Sequence, residues 1–312
     1  MLNLQSIPLA LLQALVLLAL TPLMTGISRQ MRAKMHSRRG PGVLQDYRDF
    51  FKLLKRQDVA PADSGLVFRA APYVIFGTMF AVAMALPVFT HFSPLGVMAD
   101  LITFTYLFGL SRFFFSLSGI DSGSSFAGLG ASRESTLGVL VEPIMILSLL
   151  VVALIEGSTN LGSISASIAG GYAKSPTAIV LAMLAFGFAV FIEMGKLPFD
   201  MAEAEQELQE GPLTEYSGSS LALLKTGLGL KKVVMAQFFI GVFLPIGAAT
   251  TPDTFSAVLA VIVVPLRLAV VFLLASLIEN SMARGRYMLT PRVTWVGFGV
   301  AALAFVFYLA GL

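Results

Sequence analysis

Between Lys196 and Gly218 the sequence reads KLPFDMAEAEQELQEGPLTEYSG. It carries Asp200, Glu203, Glu205, Glu207, Glu210 and Glu215, with no further basic residue before Lys225. Asp200 followed three positions later by Glu203 fits a capping box, so a short helix is predicted to start there and to stop at Gly211-Pro212. On that helix Glu203, Glu207 and Glu210 fall at i, i+4 and i+7, on one face. Carboxylates clustered this way repel one another, and where water is limited the crowding raises their pKa values. Two readings follow: a solvated acidic face paired with basic residues of a partner, or a set of proton-exchanging groups at the mouth of an intramembrane path.

The rest of the chain is poor in charge. Of 312 residues 56% are hydrophobic and 12% charged, and mean hydropathy is +0.84. Soluble domains carry about one quarter charged residues, so most of this surface is expected to face lipid. There is no cysteine, which excludes an iron–sulfur cluster, a disulfide or a thiol nucleophile within the chain. The two histidines, His36 and His91, are too far apart in sequence to suggest a metal site. No catalytic constellation, metal site, nucleotide motif or nucleic-acid signal is visible, and no cleavable leader is expected ahead of the first apolar stretch.

A helix crosses the hydrocarbon core with roughly 20 apolar residues. Residues 7–27, 70–90, 175–192, 233–252 and 293–312 qualify without a charge; 95–119, 135–156 and 254–278 qualify if internal ionisable residues are tolerated. The prediction is therefore an all-α polytopic bundle of about eight transmembrane helices forming one membrane domain over residues 1–312. Barrel strands are excluded by segment length. Basic residues concentrate in alternate loops, 29–69, 120–134, 193–232 and 280–292, whereas Lys174 is the clear basic residue of the others. By the positive-inside rule those loops are cytoplasmic and both termini face outward. Residues 43–56, VLQDYRDFFKLLKR, form an amphipathic helix too short to span. It is either an interfacial anchor beside anionic lipid or the rim of a partner or cofactor site.

Charges at membrane depth are costly and tend to face the bundle interior or water. Glu142 lies seven residues into its span and precedes Pro143, where the backbone is free to admit water. Glu193 and Lys196 stand three residues apart and are expected to pair. Arg267, in mid-span, needs a carboxylate or carbonyl partner. Asp100, Arg112, Glu156 and Glu279 lie nearer span ends and are expected to snorkel. Glu142, Glu193 and the loop carboxylates together suggest a chain of protonatable groups running inward.

At these residues the sequence resembles a known family. Glu193, Lys196, Pro198-Phe199-Asp200, the glutamate-rich run and Glu215-Tyr216-Ser217-Gly218 are similar to the pattern E-x-x-R-x-P-F-D … E-Y-S-G of the quinone-site membrane subunit of respiratory complex I, with Lys196 in place of arginine. Gly130-Ala131-Ser132-Arg133 with Glu142 nine residues on is a second matching block. Arg39-Gly40-Pro41 through Leu44-Gln45 and Lys52-Leu53 is a third. Two departures, Gly40-Pro41-Gly42 and Glu279-Asn280-Ser281-Met282-Ala283-Arg284, resemble instead the homologous subunit of membrane-bound [NiFe] hydrogenases of the hydrogenase-4 and formate hydrogenlyase type, hydrogenase-4 more closely.

The resemblance implies a non-catalytic subunit of a bacterial inner-membrane oxidoreductase complex. It would join [NiFe] hydrogenase large and small subunits, iron–sulfur subunits and formate dehydrogenase to antiporter-like membrane subunits. The [NiFe] centre and iron–sulfur clusters would belong to those partners; a hydrogenase has no evident need for quinone, so the resemblance does not by itself imply an inherited quinone site. An ion path would run through Glu142, Glu193, Asp200, Glu203, Glu205, Glu207, Glu210 and Glu215, supported by Lys196, Arg133, Arg267 and Glu279. Arg38, Arg39, Asp46, Arg48 and Lys52 would face the partner arm. Alternatives are a quinone-site subunit of a complex I-like enzyme and a standalone cation transporter, though no inverted repeat is evident.

Overall fold

The computed structural model describes residues 6–96, 98–171, 175–248, 254–283, 285 and 287–311. Within them the chain is helical: α1 Ile7–Met35, α2 Gln45–Leu54, α3 Leu66–Ala85, α4 Leu101–Asp121, α5 Ser125–Glu156, α6 Leu161–Ala169, α7 Pro176–Glu193, α8 Glu205–Leu208, α9 Gly218–Phe243, α10 Thr254–Ser281 and α11 Thr290–Leu309. Eight of these, α1, α3, α4, α5, α7, α9, α10 and α11, are long and apolar enough to cross a membrane. The chain is a polytopic membrane protein, and the predicted span number holds. Lys174, Arg284 and Arg286, which entered the loop-charge comparison, lie outside the described residues.

The most apolar window of α9 is 78% buried against 22% for α11, which makes α9 the central post and α11 a peripheral one. Around α9 pack α3, α1 and α7, while α5 packs on α4, α7 and α11. Phe238 of α9 anchors the core, with Phe104 of α4 and Phe186 of α7 at ring-centroid distances of 5.4 and 5.1 Å. Aromatic pairs of this geometry add to the area they bury.

Several boundaries depart from the sequence expectation; α1 runs on to Met35 and α3 lies over Leu66–Ala85, for example. The sixth span, predicted over 233–252, is α9 from Gly218 to Phe243, so Lys225, Lys231 and Lys232 are helical rather than loop residues. The predicted loop 120–134 shrinks to the residues between α4 and α5, because α5 begins at Ser125. Hydropathy marks where lipid is tolerated; a helix continues wherever its charged face finds partners inside the protein. The third span begins at Leu101, where the Asp100 side chain accepts from the Ile102 amide 3.0 Å away, a helix N-cap.

The acidic helix predicted from Asp200 to Glu210 is not formed. Residues 201–203 are turns, α8 is one turn long, and Ala204, Gln209 and Glu210 all have positive φ. Packing overrides local propensity here. Gly211 (φ 56) lies so close to the Ala202 carbonyl that a Cβ would reach 2.0 Å from its oxygen, and a Cβ on Gly130 would meet Pro212 at 2.7 Å. The loop is folded down onto α5 through glycines on both sides. Glu203, Glu207 and Glu210 therefore do not share a helical face.

Candidate functional site

One glycine on α5 and one arginine on α4 set the centre of the site. Glu134, Gly138 and Glu142 fall at i, i+4 and i+8 on one face of α5. The missing side chain at Gly138 leaves the room in which Arg112 lies: a Cβ there would sit 2.6 Å from Arg112 Cδ and 2.7 Å from Nη1. Across that gap Arg112 donates from Nη1 to Glu142 and from Nη2 to Glu193 at the end of α7. Its Nε stands 3.5 Å from Glu134. Lys231 of α9 approaches Glu193 Oε2 at 2.9 Å and Glu134 at 3.7 Å. Two cations and three carboxylates from four helices thus form one cluster, with Arg112, Glu193 and Lys231 buried. Glu142 alone is substantially open, its side chain 40% exposed on the flank of the bundle.

This replaces two expectations. Arg112 does not snorkel; it is the hub. Glu193 does not pair with Lys196 but with Arg112 and Lys231, because α7 ends at Glu193 and the chain then turns Lys196 toward α1 and α10. Lys196 Nζ donates to Ser28 Oγ at 2.7 Å and to Glu279 Oε2 at 3.0 Å. Glu279 is buried in this pair rather than snorkelling, with Arg32 3.8 Å from its other oxygen. Arg267 takes the carbonyl option, donating to Ile246 at 2.8 Å and to Val88 at 3.1 Å. It lies far along α10 from this cluster and pairs with no carboxylate among the described residues.

The Lys196 pair lines a cavity of about 590 Å³ between α1, α2, α9, α10 and the acidic loop. Twelve of the side chains lining it are charged. A crevice of about 40 Å³ adjoins it, with Asp200, Glu203 and Lys232 lining both. Arg112 and Glu193 line that crevice and also a void of about 10 Å³ beside Glu142. A polar seam therefore leads from the cavity to Glu142.

The remaining carboxylates are distributed differently. Glu207 pairs with Arg133 at 2.7 Å, and the Arg133 guanidinium lies 5.4 Å from the Tyr287 ring centre. Glu210 pairs with Lys225 at 3.1 Å and lines the cavity. Glu215 lines neither cavity nor crevice. The Glu205 side chain lies outside the described residues. The Tyr216-Ser217-Gly218 segment serves as a latch. Tyr216 stacks on Phe68 with ring centres 4.0 Å apart and donates to the Phe68 carbonyl at 2.8 Å, while Ser217 bonds both backbone groups of Val59. Burial pushes the Tyr216 phenol up to about 12.

Asp46 of α2 is held to α1 by Arg29 at 2.7 Å and by Thr25. Arg38, Arg39, Arg48 and Lys52 are exposed. The predicted amphipathic helix is present as α2 with no buried residue, and Phe51 and Leu54 face outward. Sequence reasoning missed Glu134 and Lys231 as site residues. The Glu134–Gly138–Glu142 spacing was a usable signal for the first; nothing local marks the second.

The family model described as NADH dehydrogenase matches residues 7–310. The chain belongs to that family. It is 61% identical over 303 residues to hydrogenase-4 component C of Escherichia coli K12, covering 97% of this chain and 96% of that protein. It is 55% identical to formate hydrogenlyase subunit 4 of the same organism, over 96% and 98% of the two chains. NADH-quinone oxidoreductase subunit 8 of Rhodothermus marinus is 32% identical over 67% and 64%. In fold the chain resembles one from the membrane-bound sulfane sulfur reductase, an archaeal respiratory membrane complex, with TM-score 0.86, 22% identity and 96% and 98% coverage.

Proposed function

We propose that this chain is a non-catalytic membrane subunit of a hydrogenase-4 or formate hydrogenlyase-like complex in the bacterial inner membrane, with both termini outside. It holds the [NiFe] hydrogenase arm, its iron–sulfur subunits and formate dehydrogenase to antiporter-like subunits, and couples electron transfer to movement of protons or sodium ions. The near full-length likeness to hydrogenase-4 component C carries this reading. The polar seam from the charged cavity to Glu142 supports the coupling role. Glu142, exposed on the flank, is the group from which a charge passes to a neighbouring membrane subunit. Arg38, Arg39, Arg48 and Lys52 offer the basic surface on which the peripheral arm rests. With no cysteine the chain supplies no thiolate to a cluster.

A quinone is not part of this reading: an isoprenoid tail needs a continuous apolar groove, and twelve charged side chains line this cavity. Purification of the tagged subunit is expected to bring down a [NiFe] hydrogenase; isolation as a lone stable protein contradicts the proposal. Glu142→Gln is expected to leave assembly intact and to impair coupled hydrogen evolution in membrane vesicles. Unchanged evolution and unchanged gradient would reduce the subunit to a plain anchor.

A further inference from the structure

Lys196 differs from the two deep cations of the seam, Arg112 and Lys231, in how it is placed. Arg112 and Lys231 each contact two or more carboxylates. Lys196 contacts one, Glu279, and shares it with Arg32. The charged groups facing it come from four sides. Arg32 stands on α1, Glu279 on α10, Lys232 on α9 and Asp200 on its own loop; Asp49 and Lys52 of α2 and Glu203 lie across the cavity. Of these, Glu279 is its one ion-pair partner among the described residues, and Arg32 and Lys232 stand nearby as like charges. Arginine does not release its proton under physiological conditions, whereas a lysine among like charges with limited water does so readily.

The hydrogen bonds at the site accommodate both forms of the amine. As an ammonium, Lys196 donates to Ser28 and to Glu279. Ser28 in turn lies against the Ser276 hydroxyl, which donates to the Phe272 carbonyl at 2.7 Å. A neutral amine still donates to Glu279, Ser28 turns its hydroxyl hydrogen onto the amine nitrogen, and Ser276 turns its own from the Phe272 carbonyl onto Ser28 Oγ, since a serine hydroxyl both donates and accepts. Neither state leaves a buried group unpaired, which is the condition for a proton to come and go at low cost.

We propose that Lys196 is a proton-exchanging group of the cavity, held between Glu279 and the Ser28–Ser276 pair. The ammonium gives one proton to a water molecule of the cavity and becomes the amine; hydronium returns the proton by the reverse step. The assignment rests on the coupling role proposed above and specifies where the seam takes up its proton. Burial pushes the Lys196 ammonium below the ordinary lysine range, Glu279 opposes this, and Lys232 and Arg32 add to the push.

Lys196→Arg separates charge from proton exchange, because arginine keeps the ion pair with Glu279 and retains its proton. In the purified complex this variant is expected to assemble. Coupled hydrogen evolution should fall by about tenfold or more, the scale on which a positioned proton donor acts. The loss should persist across the pH range rather than shift with it. A wild-type rate and pH profile for Lys196→Arg overturns the proposal. A second readout needs no variant and no turnover: pulse acylation of the wild-type complex with acetic anhydride across pH, followed by mass spectrometry. Lys196 is expected to become reactive at lower pH than the exposed Lys55. Reaction in parallel with Lys55, or none at any pH, overturns the proposal. If Glu142→Gln leaves ion movement intact, the coupling role fails, while the acylation profile still decides the chemistry of Lys196.

Discussion

The Arg112 cluster and the Lys196 cluster lie along one polar seam, yet they handle charge in contrasting ways. Around Arg112 two cations meet three carboxylates, and both oxygens of Glu193 are taken by cationic donors. Around Lys196 one carboxylate serves two cations, and two serine hydroxyls are free to reverse direction. The first arrangement fixes geometry and ties α4, α5, α7 and α9 together. The second faces a cavity wide enough for water and tolerates a change of protonation. A chain of charged residues in a membrane is thus not one kind of object. Groups with saturated partners act as joints, and groups with shared partners can act as exchangers.

Removing each hub tests that contrast most severely. Arg112→Ala leaves Glu134 and Glu193 to Lys231 alone and takes its cation from Glu142, and breaking a buried ion pair costs about 3–5 kcal/mol. Loss of folded subunit, followed by thermal unfolding in detergent, is the expected result; a stable Arg112→Ala protein would dissolve the distinction. Lys196→Met is expected to cost less, about 1–3 kcal/mol, because Arg32 remains beside Glu279 and one buried acceptor loses its donor. A penalty equal to that of Arg112→Ala would place Lys196 among the joints.

Gly138→Ala sharpens the account of the deep cluster without touching a charge. The added methyl meets Arg112 at 2.6 Å, and overpacking of this kind costs about 1–3 kcal/mol. Gly128→Ala on the same helix, where nothing lies within 4 Å, is expected to stabilise by up to about 1 kcal/mol, the helix-propensity gain alone. Equal effects at the two sites would remove Gly138 as the residue that makes room for the guanidinium. At the small end stands the exposed pair Lys225–Glu210, both side chains over 40% exposed. Lys225→Ala is expected to cost about 0.2–1 kcal/mol and to lose that effect in high salt.

The eight spans were legible because the cost of burying polar backbone in lipid is paid residue by residue and leaves long apolar runs in the sequence. That Glu142 and Glu193 must have partners was legible for the same reason: a carboxylate in such a run needs a compensating charge or donor. The partners themselves were not. Lys231 reads as a loop lysine because a pair of lysines interrupts the hydropathy, and only the approach of α7 to α9 reveals that Glu193 neutralises it. The acidic stretch reads as a helix by its caps and spacing, yet Gly130 and Gly211 allow a close approach that bends it into turns.

Composition and periodicity alone therefore determined that this chain crosses a membrane, lacks thiolates and places carboxylates at depth, since those depend on each residue's own transfer from water. Which cation faces which carboxylate was decided by the tertiary structure. Ion pairing acts over a few ångströms between segments far apart in sequence, and the room for Arg112 is made by a glycine on a neighbouring helix. The contrast between a locked cluster and an exchanging one exists only at that level.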